Sequence, residues 1–322
     1  MKHSILKIAS VALAILSSCS KSDDNTSTIP NQNELNLTKT EKIVAAPIRN
    51  ISSYFWVTKS QSEDKFYIHN LENTANSSER GNMLYDLNTN TFSDKAKCIN
   101  VAAAGYMSQL ITGNSIYYIA NEFNEYDPST NTWTVRNDLF PNTIKNNHGE
   151  ASGCVIGSLG KVFFIGGRAD CKTVKYFNWT NNTWNFAADY PITINKGPMC
   201  ASDNNSKTIY AVGGYSNGVV SKEFYKYTEA TNTWTKLPDA PVTPVYSYTL
   251  RTLVLFKNNI IFLGDDSKLH IFNIASNQWQ TNTIDTGGIA NLGAHLETST
   301  DGNKFYILYR KSNGSLGIQE YQ

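Results

Sequence analysis

Two short stretches of this chain gather side chains able to hold a polar ligand or move a proton. One is Asn146-Asn147-His148-Gly149-Glu150, and the other is Arg168-Ala169-Asp170. An imidazole, a guanidinium and carboxylates are the groups that acid–base chemistry and polar recognition draw on. Asp265 and Arg310 are two further candidates. Asp265 and Asp266 are adjacent, and neighbours along a strand point to opposite faces, so they make a poor acid/base pair. The sequence has no G-x-S-x-G, no P-loop, no H-E-x-x-H and no dinucleotide fingerprint. It also lacks a Cys-x-x-Cys and any His pair at ligand spacing, so neither a metal nor a cofactor is expected. The competing reading of His148, Glu150, Arg168 and Asp170 is a solvated loop with a local ion pair.

Whether such groups converge depends on the elements that carry them, and those elements repeat. Five segments share an aromatic residue, an Asn five positions on, and a second aromatic two positions later. They are Tyr85…Asn90…Phe92, Tyr126…Asn131…Trp133, Phe177…Asn182…Trp184, Tyr227…Asn232…Trp234 and Phe272…Asn277…Trp279. Each reads as a hairpin. Asn tolerates the left-handed conformation that restarts the second strand, and the second aromatic packs on the first. Upstream of these lie six short apolar runs, including Val162-Phe-Phe-Ile165, Thr208-Ile-Tyr-Ala-Val212 and Ile260-Ile-Phe-Leu263. Their β-branched and aromatic content predicts strands buried on both faces.

A period of roughly 45 to 50 residues with four short strands per unit is that of a β-propeller blade. The pattern resembles the kelch repeat, in which an apolar strand ends in a diglycine and a Tyr and a Trp follow. The diglycine is present as Gly166-Gly167 and Gly213-Gly214 and is degraded to Gly264-Asp265 in another unit. The resemblance covers residues 37 to 322, most strongly in the third and fourth units. Six apolar strands against five hairpins leave the last unit short of its outer strand. The stretch from Leu37 to Ile43 falls in the correct register to supply it. The expected fold is therefore all-β: one six-bladed kelch-type propeller over residues 35–322, its ring closed by an N-terminal strand in the last blade.

Within a blade, the loops after the second and fourth strands share one face, where propellers usually bind ligands. This places His148, Glu150, Arg168, Asp170, Asp265 and Arg310 on one rim. His69, His148, His270 and His295 fall in four different blades, and His270 reads as structural. Cys98, Cys154, Cys171 and Cys200 are even in number, and their pairing stays open between disulfides and buried thiols.

The N-terminus reads as an address. Lys2 and Lys7 precede a mostly apolar stretch from Ile5 to Leu16, too short to span a bilayer, so residues 1–18 form a signal peptide. Leu16-Ser17-Ser18-Cys19 resembles a bacterial lipobox, which implies that Cys19 becomes the lipidated mature N-terminus. Ser20-Lys21-Ser22-Asp23-Asp24 resembles the acidic tag that sends lipoproteins of Bacteroidota to the cell surface. Residues 19–34 are polar and read as a flexible linker. The expected location is the cell envelope, as an outer-membrane lipoprotein facing the surface or the periplasm, touching membrane through its lipid alone.

Of the 322 residues, 28 are Lys or Arg and 27 Asp or Glu, so no basic excess exists to attract nucleic acid. The expected function is binding through the loop face, with a glycan or a protein as ligand and no catalysis. The alternative is a carbohydrate-active enzyme. Its basis is resemblance to the sialic-acid mutarotases, six-bladed kelch propellers of the envelope, for which His148, Glu150 and Arg168 could supply the ionisable groups. A galactose-oxidase-like copper site, also built on a kelch propeller, has no matching Tyr, His and Cys set here.

Overall fold

Short runs of β-branched and aromatic residues separated by Asn- and Gly-rich turns build the molecule almost wholly from strands. The computed structural model describes residues 34–322 apart from the stretches 52–54, 61, 72–79, 99–107, 113–114, 120–121, 142–143, 145–150, 168–170 and 246–251. The chain enters with β1 (Lys39–Glu41). Blade I is β2 (Phe55–Lys59), β3 (Lys65–Leu71), β4 (Arg80–Asp86) and β5 (Thr91–Cys98). Blade II is β6 (Ser108–Thr112), β7 (Ser115–Ile119), β8 (Phe123–Asp127) and β9 (Thr132–Val135). Blade III is β10 (Ser152–Ile156), β11 (Lys161–Ile165), β12 (Val174–Asn178) and β13 (Thr183–Ala187). Blade IV opens with β14 (Met199–Asp203) and β15 (Thr208–Val212). It is then interrupted by a separate hairpin of β16 (Tyr215–Ser216) and β17 (Val219–Val220), and is completed by β18 (Phe224–Thr228) and β19 (Thr233–Leu237). Blade V is β20 (Leu253–Phe256), β21 (Asn259–Leu263) and β22 (Lys268–Asn273). Its outer strand is broken into β23 (Gln278–Trp279) and β24 (Ile284–Asp285), both paired with β22. Blade VI is β25 (Ala294–Thr298), β26 (Phe305–Arg310) and β27 (Leu316–Tyr321), with β1 as its fourth strand.

The innermost strands neighbour one another in a closed cycle, β2 to β6 to β10 to β14 to β20 to β25 and back to β2. The fold is a six-bladed β-propeller. Its apolar core lies in wedges between adjacent blades. Ile165, Val174, Ile209 and Ala211 fill the wedge between blades III and IV, and Leu296, Ile307, Ile261 and Leu269 that between V and VI. The second strands of blades IV and V are buried throughout, because each is covered by a blade on either side.

All five repeat asparagines have positive φ, between 51° and 57° at Asn232 and Asn277 and between those values elsewhere. The paired aromatics pack with ring centroids 4.8 Å apart for Tyr85 and Phe92 and 5.2 Å for Tyr227 and Trp234. The repeat also stitches blade to blade. The Asn131 Oδ1 accepts the Tyr126 hydroxyl at 2.8 Å and, from the preceding blade, the Ala96 amide at 2.8 Å. Trp133 Nε1 donates to the Ala96 carbonyl at 3.0 Å. Asn232 and Trp234 hold Ala188 in the same way.

Ring closure is as the repeat count requires. β1 runs antiparallel to β27 with Thr40 opposite Glu320. Glu41 accepts from Gln319 Nε2 at 2.7 Å, Asn90 of blade I accepts the Ala45 amide at 2.8 Å, and Arg49 forks onto Asp94 at 2.7 and 2.8 Å. Cys154, Cys171 and Cys200 are buried and are not joined in disulfides, and the Cys98 side chain lies outside the described residues.

Candidate functional site

A propeller hub has two mouths, and each is built from different turns. On one rim the turns after the second strands meet the segments that cross from one blade to the next. His148, Glu150, Arg168 and Asp170, the cluster singled out from the sequence, lie outside the described residues, as does Cys19. The two remaining candidates are on this rim, and each makes a tie of its own. Arg310, at the end of β26, donates from Nε to the Ile51 carbonyl at 2.6 Å and so holds the approach to β2. Asp265 accepts from the Thr243 hydroxyl, and its amide donates to the Thr243 carbonyl at 3.0 Å. Asp266 separately faces His270 Nε2 at 3.1 Å, and the His270 ring stacks on Phe262. That pairing makes His270 a packed structural residue. His69 and His295 are also buried, against Asn82 Oδ1 at 2.6 Å and the Phe55 carbonyl at 3.0 Å.

The same rim carries a feature that the repeat does not need. Between β15 and β18 the chain makes the hairpin of β16 and β17, turned by Asn217 and Gly218 with φ of 51° and 86°. Positive φ at both central residues is the turn that matches strand twist, and Asn-Gly is its preferred pair. The hairpin is tied at its base. The Tyr215 carbonyl accepts the Asn195 amide at 2.8 Å, and Lys196 Nζ lies 4.7 Å from the centre of the Tyr215 ring. At its far end Val219 is 67% exposed.

The opposite mouth holds a cavity of about 510 Å³, walled by the ends of β2, β10, β14 and β25 and the turns that follow them. Its charged wall comes from blades I and VI. Lys59 Nζ donates to the Ser60 carbonyl at 2.6 Å and to Thr300 Oγ1 at 2.9 Å, and stands 3.8 Å from Asp64 Oδ1. Asp64 in turn accepts the Thr300 amide at 2.7 Å and hydroxyl at 2.9 Å. Burial lowers the proton affinity of Lys59, and the charges of Asp64 and Glu297 oppose that shift. The facing wall, from blades III and IV, is neutral. Asn204 Oδ1 accepts the Gly157 amide at 2.6 Å, Ser158 Oγ donates to the Asn204 carbonyl at 3.0 Å, and Ser202 Oγ donates to the Val155 carbonyl.

Sequence reasoning missed these residues. Lys59, Asp64, Glu297 and Thr300 sit in polar strand ends that read as turn chemistry, and only the closed ring brings blades I and VI together. The one available signal was alignment of the innermost-strand ends across blades. Among the described residues no group of three or more His, Cys, Asp or Glu is placed to hold a metal ion. No helix among them is long and apolar enough to cross a membrane.

Residues 200–241 match the Kelch motif. That span runs from β14 through β19, the blade with an intact diglycine, Tyr227 and Trp234. Both glycines have positive φ, and a Cβ on Gly214 would lie 2.6 Å from the Ile194 side chain. Comparison with curated proteins gave no match.

Proposed function

We propose that the chain is a lipid-anchored binding protein of the cell envelope that engages a partner protein through the rim bearing the β16–β17 hairpin. The observation that carries this reading is the hairpin itself. It adds nothing to any blade core, yet an Asn-Gly turn and main-chain pairing to the blade III–IV crossing hold it rigid. Rigid presentation of an exposed aliphatic tip lowers the ordering cost of binding. Val219 at that tip suits an apolar patch on a protein better than the hydroxyls of a glycan. The kelch propeller as a fold serves generally as an interaction scaffold, and the lipobox-like Leu16-Ser-Ser-Cys19 supports the anchor.

The test is photo-crosslinking in intact cells from a benzophenone amino acid at Ser216. A discrete protein adduct is expected. It should be lost with Val219→Asp, which charges the tip, and with Cys19→Ala, which removes the tether. Absence of any adduct, or an adduct indifferent to Val219→Asp, overturns the reading. Binding on a glycan array that Val219→Asp abolishes would assign the rim to a sugar instead.

A further inference from the structure

The mouth opposite that rim has a chemistry of its own, and its argument does not depend on the hairpin. We propose that the cavity at the ends of β2, β10, β14 and β25 is a binding site for a small, uncharged, polyhydroxylated ligand of the sugar class.

Size comes first. About 510 Å³ lies within the roughly 300–1,000 Å³ typical of small-molecule pockets. Such pockets are usually apolar, and this one is not: of its lining only Val155 and Gly157 lack a polar side-chain atom. An apolar ligand would strip water from these groups and return nothing.

Charge comes next. Lys59 is matched by Asp64 at 3.8 Å, and its ammonium protons are directed to the Ser60 carbonyl and Thr300 Oγ1. The cation is therefore not offered to an incoming anion. Glu297, 6% exposed on the same wall, adds a second carboxylate, so the three groups together carry one net negative charge. An anionic ligand is repelled.

Hydrogen bonding then selects among neutral ligands. Ser158 and Ser202 give their only hydroxyl protons to main-chain carbonyls, so toward the cavity they offer lone pairs. Thr58 is 4% exposed, and its buried Oγ1 has no hydrogen-bond partner, leaving both its proton and its lone pairs unused. Buried polar groups are nearly always satisfied, and an exception points to a missing partner. A ligand meeting these demands brings several donors with a few acceptors and no charge, which is the surface of a sugar.

The test is calorimetry and saturation-transfer NMR on the full chain in detergent, with D-glucose, D-galactose, N-acetyl-D-glucosamine and lactose as probes and D-glucuronate as the anionic control. Saturable binding of at least one neutral sugar is expected, with glucuronate at least about tenfold weaker. Methyl β-D-galactoside, whose anomeric oxygen is blocked as in a glycan, separates a free sugar from a glycan end. Thr58→Val should weaken binding about tenfold while the thermal midpoint holds or rises, because the change removes an unpartnered hydroxyl. A merely structural hydroxyl would not leave that combination. Glu297→Gln and Ser158→Ala should also weaken binding, and Ser158→Ala covers the case in which Glu297→Gln fails to fold. Val219→Asp should leave sugar binding unchanged, which keeps this site separable from the rim. The proposal is overturned if no neutral sugar binds, if glucuronate binds as tightly, or if folded Thr58→Val and Ser158→Ala both bind as wild type does.

Discussion

The repeat asparagine does two jobs at once, and two blades separate them. In blade IV, Asn232 holds φ of 51° and accepts both the Tyr227 hydroxyl at 2.9 Å and the Ala188 amide at 2.8 Å. In blade V, Asn277 holds φ of 57°, but the aromatic before it is Phe272, which has no hydroxyl. The residue standing where Ala188 stands is Pro238, which has no N–H to donate; its carbonyl accepts Trp279 Nε1 at 2.9 Å. Glycine keeps the left-handed backbone and deletes the side chain. Asn232→Gly therefore leaves a buried tyrosine hydroxyl and an amide without their acceptor, at about 1–3 kcal/mol for such groups. Asn277→Gly deletes an amide with neither partner. The two variants pay the same glycine entropy, so Asn232→Gly should be less stable than Asn277→Gly by about 2 kcal/mol in urea denaturation. Equal stabilities would show that the asparagine acts through its backbone alone. The left-handed role was legible in the sequence because a turn is local chemistry. The bond to the neighbouring blade was not, because its partner lies about one repeat period away.

At the scale of the element, the weakest link is the strand that closes the ring. All three residues of β1 expose their side chains, so the strand is held chiefly by its ladder. Thr38 and Gln322 exchange bonds at 3.0 and 3.2 Å, and the Lys42 amide donates to the Ile318 carbonyl at 2.9 Å. Antiparallel pairs alternate, so Thr40 must face Glu320 as the hydrogen-bonded pair between them, and the Lys39 amide must point away. Thr40→Pro should then cost on the order of 2 kcal/mol, from the lost bond and the displaced neighbours of Glu41. It should also free the β27 edge and give concentration-dependent self-association in size-exclusion chromatography. Lys39→Pro removes a proton that no ladder uses and should stay monomeric and near wild-type stability. Self-association of both variants, or of neither, would mean that β1 is not what covers the edge. The closing strand could be placed from sequence because the six second strands are short runs rich in β-branched and aromatic residues and so announce the period. The inserted hairpin and the split outer strand of blade V could not. Tyr215-Ser-Asn-Gly-Val-Val220 reads as loop until its pairing is seen, and β23 and β24 are two residues each. The cavity was hidden for a related reason. Lys59 and Glu297 stand near opposite ends of the chain, and their meeting is a property of closure that no local pattern carries.

The whole ring shares a dependence on tyrosines kept protonated. Burial raises Tyr85 to about 12 in blade I and Tyr227 to about 12 in blade IV, and it raises Tyr126, Tyr306 and Tyr321 further still in blades II and VI. Tyr190, fully buried at the blade III–IV crossing, moves the same way. An unfolded tyrosine ionises near 10.0. Above that pH the unfolded chain has released protons that the folded chain still holds, so stability falls as pH rises. Below it these groups contribute their full stabilisation and add no slope. Lys59 and Lys175 oppose the trend. Burial lowers both below 10.5, so where the folded chain has shed their protons and the unfolded chain has not, stability rises with pH. Two lysines acting over a lower window tilt the profile upward toward pH 10 but cannot prevent its fall beyond, where the more numerous tyrosines act. The urea midpoint should therefore hold or rise slightly up to about pH 10 and drop steeply above it. Tyrosinate absorbance from the buried rings should rise together with the loss of circular dichroism as one cooperative step, because ionising any one of them opens a wedge between two blades. A smooth titration centred near pH 10 with the dichroism intact would show that these hydroxyls reach water in the folded ring, and the packing of the wedges described above would then have to be revised.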